Sequence, residues 1–246
     1  MRPYVLITGA SSGIGKAIAI KLSQNYNIIL HGRNQSRLQQ VRELCFEGDH
    51  IIWEKELGEV DNIEDNLASF IKANNIMIEY YVHSAGIMKM LPLKAQKIES
   101  IQEVFNINVY SAMLITKTLS SKKLNGGMLK SIVFISSNIS QRGAKAFQVY
   151  AASKGALDSF MRSMAIELAP KIRVNSILPG AIYTDMTHHI FEDINFTTKM
   201  ATNYPLGLGN PDNIADGVVF LLSDQAKWIT GQQLVIDGGR TTDISE

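Results

Sequence analysis

Tyr150 and Lys154 lie four residues apart, one helical turn along, so their side chains leave the same face of a helix. A tyrosine hydroxyl has a pKa near ~10 and needs a neighbouring cation to serve as an acid or base at neutral pH; this spacing supplies one. An ordinary amphipathic pair would have the same spacing. The second chemical feature is the run Thr8-Gly9-Ala10-Ser11-Ser12-Gly13-Ile14-Gly15. Glycines let the backbone turn tightly and approach a ligand, and a helix starting there offers N–H groups and a positive dipole end to a phosphate. The spacing, Gly-x-x-x-Gly-x-Gly, is one residue off the Gly-x-Gly-x-x-Gly dinucleotide fingerprint. It is not a P-loop, because Ala17 follows Lys16 where that loop requires serine or threonine. The run reads as a nucleotide phosphate site, with a purely structural turn as the alternative.

The elements that must position these groups alternate along the chain. Strands are predicted at 5–8, 28–30, 51–53, 76–82, 131–136, 173–178 and 233–236. Helices are predicted at 14–22, 35–46, 98–121, 150–169 and 211–222, with another from Asp61 as N-cap to 73. Such alternation implies right-handed βαβ units and one α/β domain over residues 1–246. It would be doubly wound and Rossmann-type, with a mostly parallel sheet of about seven strands. Residues 185–208 form the longest unassigned stretch, and a loop of that length is expected to be a lid. Cys45 is expected as a buried packing residue on the apolar face of its helix.

Lys plus Arg number 24 and Asp plus Glu 23, which gives net charge +1 and argues against a dedicated nucleic-acid or anionic-membrane binder, whose affinity would need a basic surface. One cysteine excludes an intrachain disulfide and a zinc site built on several thiolates. No apolar run approaches the ~18 residues that span a bilayer. The first apolar stretch runs straight into Gly9 and is too short for a signal peptide. A soluble, cytoplasmic protein acting on a small molecule is the expectation, with neither nucleic acid nor membrane as partner. Asp185, His188 and His189 have a spacing that suits metal ligands on a helix, but no fourth ligand accompanies them. A solvated lid is the simpler reading, and no metal is expected.

The glycine run is similar to that of the short-chain dehydrogenase/reductase family, and later landmarks follow in the family's order. His83-Ser84-Ala85-Gly86 stands where the family usually has Asn-Asn-Ala-Gly, and Asn108 lies in the long helix as the family's Asn does. Ser136-Ser137 ends the fifth strand, and Tyr150-Ala151-Ala152-Ser153-Lys154 matches Tyr-x-x-x-Lys. Pro179-Gly180-Ala181-Ile182-Tyr183-Thr184 and Val235-Ile236-Asp237-Gly238-Gly239 match the family's closing motifs. The likeness covers about residues 3–240, with 3-oxoacyl-acyl-carrier-protein reductases the nearest overall pattern.

The resemblance implies reduction of a ketone or 3-oxo group by hydride transfer from NADPH. The alternatives are an alcohol or sugar dehydrogenase of the same family and a non-catalytic NADP-binding sensor. It implies that Tyr150 protonates the carbonyl oxygen and that Lys154 lowers the Tyr150 pKa and binds the nicotinamide ribose. Ser137 would hydrogen-bond the substrate oxygen, and Asn108 would hold a water relaying protons to Lys154. Ser136 would cap the strand end. Gly9, Ser11, Ser12, Gly13, Ile14, Gly15, Ala85, Gly86, Pro179, Gly180, Ile182 and Thr184 would line the cofactor site. The second strand ends in Gly32-Arg33, without the acid that would grip the adenosine ribose. The Arg33 fork suits the 2′-phosphate of NADP(H), Lys16 could add charge, and Glu56-Leu57 is the nearest match to the family's adenine contact. His83 and Ser84 are expected to pair with backbone at the strand end. The substrate pocket is expected from residues 87–93 and 140–147 and the lid. Lys89, Lys94, Arg142 and Lys145 are the candidates for acyl-carrier-protein contact. The long helices at 98–121 and 150–169 correspond to the family's interface helices, which implies a homotetramer or dimer.

Overall fold

In strand β1 (Tyr4–Thr8), Val5, Leu6 and Ile7 are wholly buried and serve opposite sides in turn: Val5 and Ile7 enter one hydrophobic core and Leu6 the other. A strand covered on both faces needs apolar residues at every position, so the sequence shows a continuous run there, not alternation. The computed structural model describes residues 2–187, 192, 198 and 200–242. The further strands are β2 (Asn27–Gly32), β3 (Ile51–Glu54), β4 (Ile78–His83), β5 (Ser131–Ile135), β6 (Arg173–Pro179) and β7 (Gln233–Ile236). All seven pair in parallel in the order β3-β2-β1-β4-β5-β6-β7. This is one α/β domain with a seven-stranded parallel sheet.

The helices, in chain order, are α1 (Gly13–Leu22), α2 (Gln35–Leu44), α3 (Ile63–Asn74), α4 (Ile98–Phe105), α5 (Ser111–Ser120), α6 (Lys122–Asn125), α7 (Gln148–Glu167) and α8 (Pro211–Leu222). Apolar faces of α1, α2 and α8 cover one side of the sheet, and those of α3, α5 and α7 cover the other. Asn210 and Asn213 form a capping box that starts α8, with Pro211 at its first turn. Among the described residues, no helix is long and apolar enough to cross a membrane.

Four expectations are corrected. Asp61 is not an N-cap: it sits in a 3-10 turn, Val60–Asn62, and α3 begins at Ile63. The predicted helix over 98–121 is interrupted by a π turn at Asn106–Tyr110. The strand predicted from 76 starts at Ile78, because the Ile76 N–H is bonded back to the Ile71 carbonyl at the end of α3. Finally, α2 ends at Leu44, which is exposed; Cys45 lies just past the helix and is half-buried against the α1 layer. Burial pushes the Cys45 thiol up from its ordinary value, which keeps it an inert packing group.

Candidate active site

Strand order reverses between β1 and β4, and the carboxyl ends of parallel strands open a crevice at such a point. A cleft of ≈ 310 Å³ lies there. The first wall is the glycine turn. Gly9 has φ +68°, and a Cβ on it would lie 2.8 Å from Ala85 Cα; on Gly15 a Cβ would lie 2.2 Å from the Gly9 carbonyl oxygen. Both positions therefore exclude any side chain, and the backbone presses directly against the end of β4. Ser12 begins α1 without a side-chain cap bond, which leaves the N–H groups of the first turn directed at the cleft. This cradle fits a dinucleotide pyrophosphate. Each residue for which cofactor contact was expected, from Gly9 through Thr184, lines the cleft; Lys16 does not.

The opposite wall carries Ser137, Tyr150 and Lys154. The Ser137 hydroxyl accepts from the Ile139 N–H (3.3 Å), which holds it at the head of a short 3-10 turn. Ser136 is buried and donates to the Lys154 carbonyl (3.4 Å), tying β5 to α7. Lys154 is 4% exposed; its Nζ donates to the Ile135 carbonyl (2.8 Å) and lies 5.7 Å from the centre of the Tyr150 ring. Burial lowers Lys154 to about 8, with Asp158 opposing the drop. Tyr150 is shifted upward. Burial pushes its phenol up to about 12, and the Ser137 hydroxyl only partly draws it back.

Asn108 lies in the π turn, wholly buried and outside the cleft lining. Its Oδ1 accepts from the Ile87 N–H (2.8 Å); its Nδ2 donates to the Ile87 carbonyl (3.0 Å) and to Ser153 Oγ (3.0 Å). The side chain thus joins the loop after β4 to α7. Gly86 fits between: a Cβ there would lie 3.3 Å from Asn108 Oδ1 and 3.5 Å from Lys154 Nζ. Beneath them, His83 pairs with side chains through Nδ1, and the backbone of Ile107 and Asn108 bears on the ring as well. Its Nδ1 is 3.0 Å from Thr8 Oγ1 and 2.9 Å from the Tyr81 hydroxyl, and burial lowers it to about 3, so it stays neutral. Thr8 Oγ1 in turn accepts from the Ser84 and Ala85 N–H groups, which joins the ends of β1 and β4.

At the far end, Arg33 stands at the rim with its side chain 73% exposed and 3.5 Å from Glu56. Gly32 leaves the floor bare, and Leu57 is buried beside it.

The sequence pattern of a family described as "Enoyl-(Acyl carrier protein) reductase" matches residues 9–241. The chain is 35% identical over 245 residues to carbonyl reductase family member 4 of Xenopus laevis, covering 97% of this chain and 98% of that one. It is 32% identical over 244 residues to glucose 1-dehydrogenase of Gluconobacter oxydans, covering 96% and 91%. A solved 4-hydroxyisoleucine dehydrogenase mutant complexed with NADH and succinate superposes with a TM-score of 0.90 at 28% identity, covering 98% and 100%. The chain belongs to the short-chain dehydrogenase/reductase family. Like the dehydrogenases and reductases it resembles, it is an oxidoreductase acting between CH–OH and carbonyl groups.

On the substrate side of this short-chain dehydrogenase/reductase, the two expected pocket loops are tied at Leu91. Its N–H donates to the Ala146 carbonyl (3.1 Å), and its carbonyl accepts from Gln148 (2.8 Å) and Gln96 (3.1 Å). Thr187 closes the turn after Thr184 by donating to the Ile182 carbonyl (2.6 Å) and accepting from the Thr184 N–H (2.9 Å). The Tyr204 hydroxyl accepts from the Ala181 N–H (3.0 Å), so both described ends of the expected lid are held at the cleft. His188 and His189 lie outside the described residues; Asp185 pairs with Arg37 at 2.6 Å. Two of the four basic candidates are engaged elsewhere: Lys89 pairs with Glu103, and Arg142 donates to the Arg240 carbonyl.

Sequence reasoning missed Arg37, Lys55, His31 and Met186, all of which line the cleft. Arg37 carried a readable signal, a second arginine four residues after Arg33, in the first turn of α2. Lys55 carried none: its place beside the cleft follows from β3 pairing with β2.

Proposed function

We propose that this enzyme is an NADPH-dependent reductase of a ketone or 3-oxo group, with Tyr150 as proton donor. The observation that carries the reading is the gathering of Ser137, Tyr150 and Lys154 along the cleft that the glycine turn also lines. A nicotinamide dinucleotide held in the cleft would supply the hydride. The glycine turn and the first turn of α1 would hold its pyrophosphate, Lys154 its nicotinamide-side ribose, and Ile182 and Thr184 its carboxamide. Ser137 donates a hydrogen bond to the substrate oxygen and places it against the Tyr150 hydroxyl. Tyr150 then gives that oxygen its proton, and the Lys154 ammonium steadies the phenolate left behind. Asn108 keeps the loop and α7 at the spacing these transfers need.

A dehydrogenase working on an alcohol or sugar is the second reading, favoured by the glucose 1-dehydrogenase relative. An acyl-carrier-protein substrate is in keeping with the description of the matched family. The test is NADPH consumption by the purified protein against ketones, 3-oxoacyl thioesters and keto-sugars, with NADP reduction by sugars and alcohols in the reverse arm. Turnover of at least one carbonyl class is expected. Activity only in the reverse arm would select the second reading, and none in either would leave a cofactor-binding sensor.

We also propose assembly into a homotetramer or dimer. Ile98 and Tyr110 are exposed around α4, and Ile166 on α7 is 81% exposed. Trp228 is 97% exposed, and Phe220 and Val235 are exposed apolar residues on α8 and β7. So much exposed apolar side chain suits a subunit interface. Sedimentation at micromolar protein is expected to show at least a dimer; monomer alone would reject the assembly.

A further inference from the structure

Asp158 sits four residues after Lys154 on α7 and is 2% exposed. Its Oδ1 accepts from Ser176 Oγ on β6 (3.0 Å), while its Oδ2 is buried and has no hydrogen-bond partner. Leaving a carboxylate oxygen unpaired in the interior is costly, and no step described above uses this acid. Strands β5 and β6 pair Phe134 with Ser176 and Ile135 with Ile177. Lys154 reaches the Ile135 carbonyl and Asp158 reaches Ser176, so the two side chains drop from one helix face onto adjoining positions of the same strand seam.

We propose that Asp158 is a positioning residue that acts through Lys154, its carboxylate holding the lysine ammonium charged within the layer between α7 and the sheet. Its consequence for catalysis rests on the role proposed for Lys154; the protonation itself does not. In a low-dielectric layer a carboxylate one helical turn away acts strongly on an ammonium without touching it. The other groups facing Lys154 are the Tyr150 ring from α7, the neutral His83 from β4, and the Ile135 carbonyl from β5. Facing Asp158 are Ser176 from β6 and Lys154 itself. Asp158 is the carboxylate in this set.

The experiment follows the titration of Lys154 by carbon NMR of lysine-labelled protein without cofactor or substrate, the signal being identified by its loss in Lys154→Gln. In Asp158→Asn, the Lys154 midpoint is expected to fall by at least about one pH unit, a tenfold change in the protonation equilibrium. An unchanged midpoint in a folded variant would overturn the proposal. The wild type gives an independent check should the variant not fold. The Asp158 carboxyl carbon is expected to shift as Lys154 loses its proton, and a flat response would overturn the proposal equally. In the active enzyme, the alkaline limb of kcat is expected to move by the same amount, with KM for the carbonyl compound nearly unchanged. Because the titration needs no substrate, a protein that shifts as expected yet reduces nothing in the panel refutes the proposed function and not this inference.

Discussion

Tyr150→Phe is expected to lower turnover by about 10²–10⁴, the worth of a positioned general acid, while fold and cofactor affinity stay unchanged. The substitution removes only the phenolic oxygen. The ring keeps its edge contact with Phe147 (6.4 Å between centres) and its place 5.7 Å from Lys154 Nζ. Lys154 remains bonded to the Ile135 carbonyl, so the cofactor wall is unaltered. Steady-state kinetics, cofactor titration and thermal melting of both proteins decide it; a variant keeping more than about a tenth of turnover would contradict the role. The pH dependence has a definite sign. Tyr150, at about 12, keeps its proton throughout the usual range, whereas Lys154, at about 8, loses its charge as pH rises through that value. Reduction is therefore expected to be level between about pH 6 and 7 and to decline above about 8. His31 and His83, both lowered to about 3 by burial, should add no inflection near neutrality.

Arg33→Ala is expected to weaken NADPH binding by roughly 10- to 150-fold and NADH binding little, because a charge-assisted hydrogen bond contributes about 1.5–3 kcal/mol. Arg33 is free to make such a bond. Its present partner, Glu56, is 3.5 Å away at an exposed rim, and an exposed pair of this kind contributes only about 0–1 kcal/mol. Gly32 matters as much, since a carboxylate in its place would repel a phosphate. Adding Gly32→Asp to Arg33→Ala is expected to move the preference towards NADH. A Cβ at Gly32 would meet the flexible tip of Leu38 at 3.2 Å, so the change needs only a small local adjustment. The wild-type preference for NADPH should shrink at high salt, which screens exposed charge. Titration of wild type and variant with both cofactors is the measurement. Equal affinities in the wild type, or undiminished NADPH affinity in Arg33→Ala, would reject the assignment.

The sequence by itself determined the fold class, the parallel sheet and the outline of the cleft. Signals for these are local. Buried strands must be apolar throughout, Pro211 and its flanking asparagines mark the start of α8, and close backbone approach admits glycine alone at Gly9 and Gly15. The strand at 233–236 and the helix at 211–222 have the bounds their patterns predict. Tertiary structure decided what those groups can do. Asn108 reads as a helix residue in a long apolar pattern, and only the folded chain shows the π turn there and the bonds of its amide to Ile87 and Ser153. Cys45 follows the helical spacing, yet α2 stops before it. The direction of the Tyr150 shift is a desolvation effect that no spacing encodes, because it depends on what α7 is buried against. Asp158 shows the same division: its four-residue step from Lys154 is visible in the chain, but its burial and unpaired oxygen arise only when α7 lies across β5 and β6.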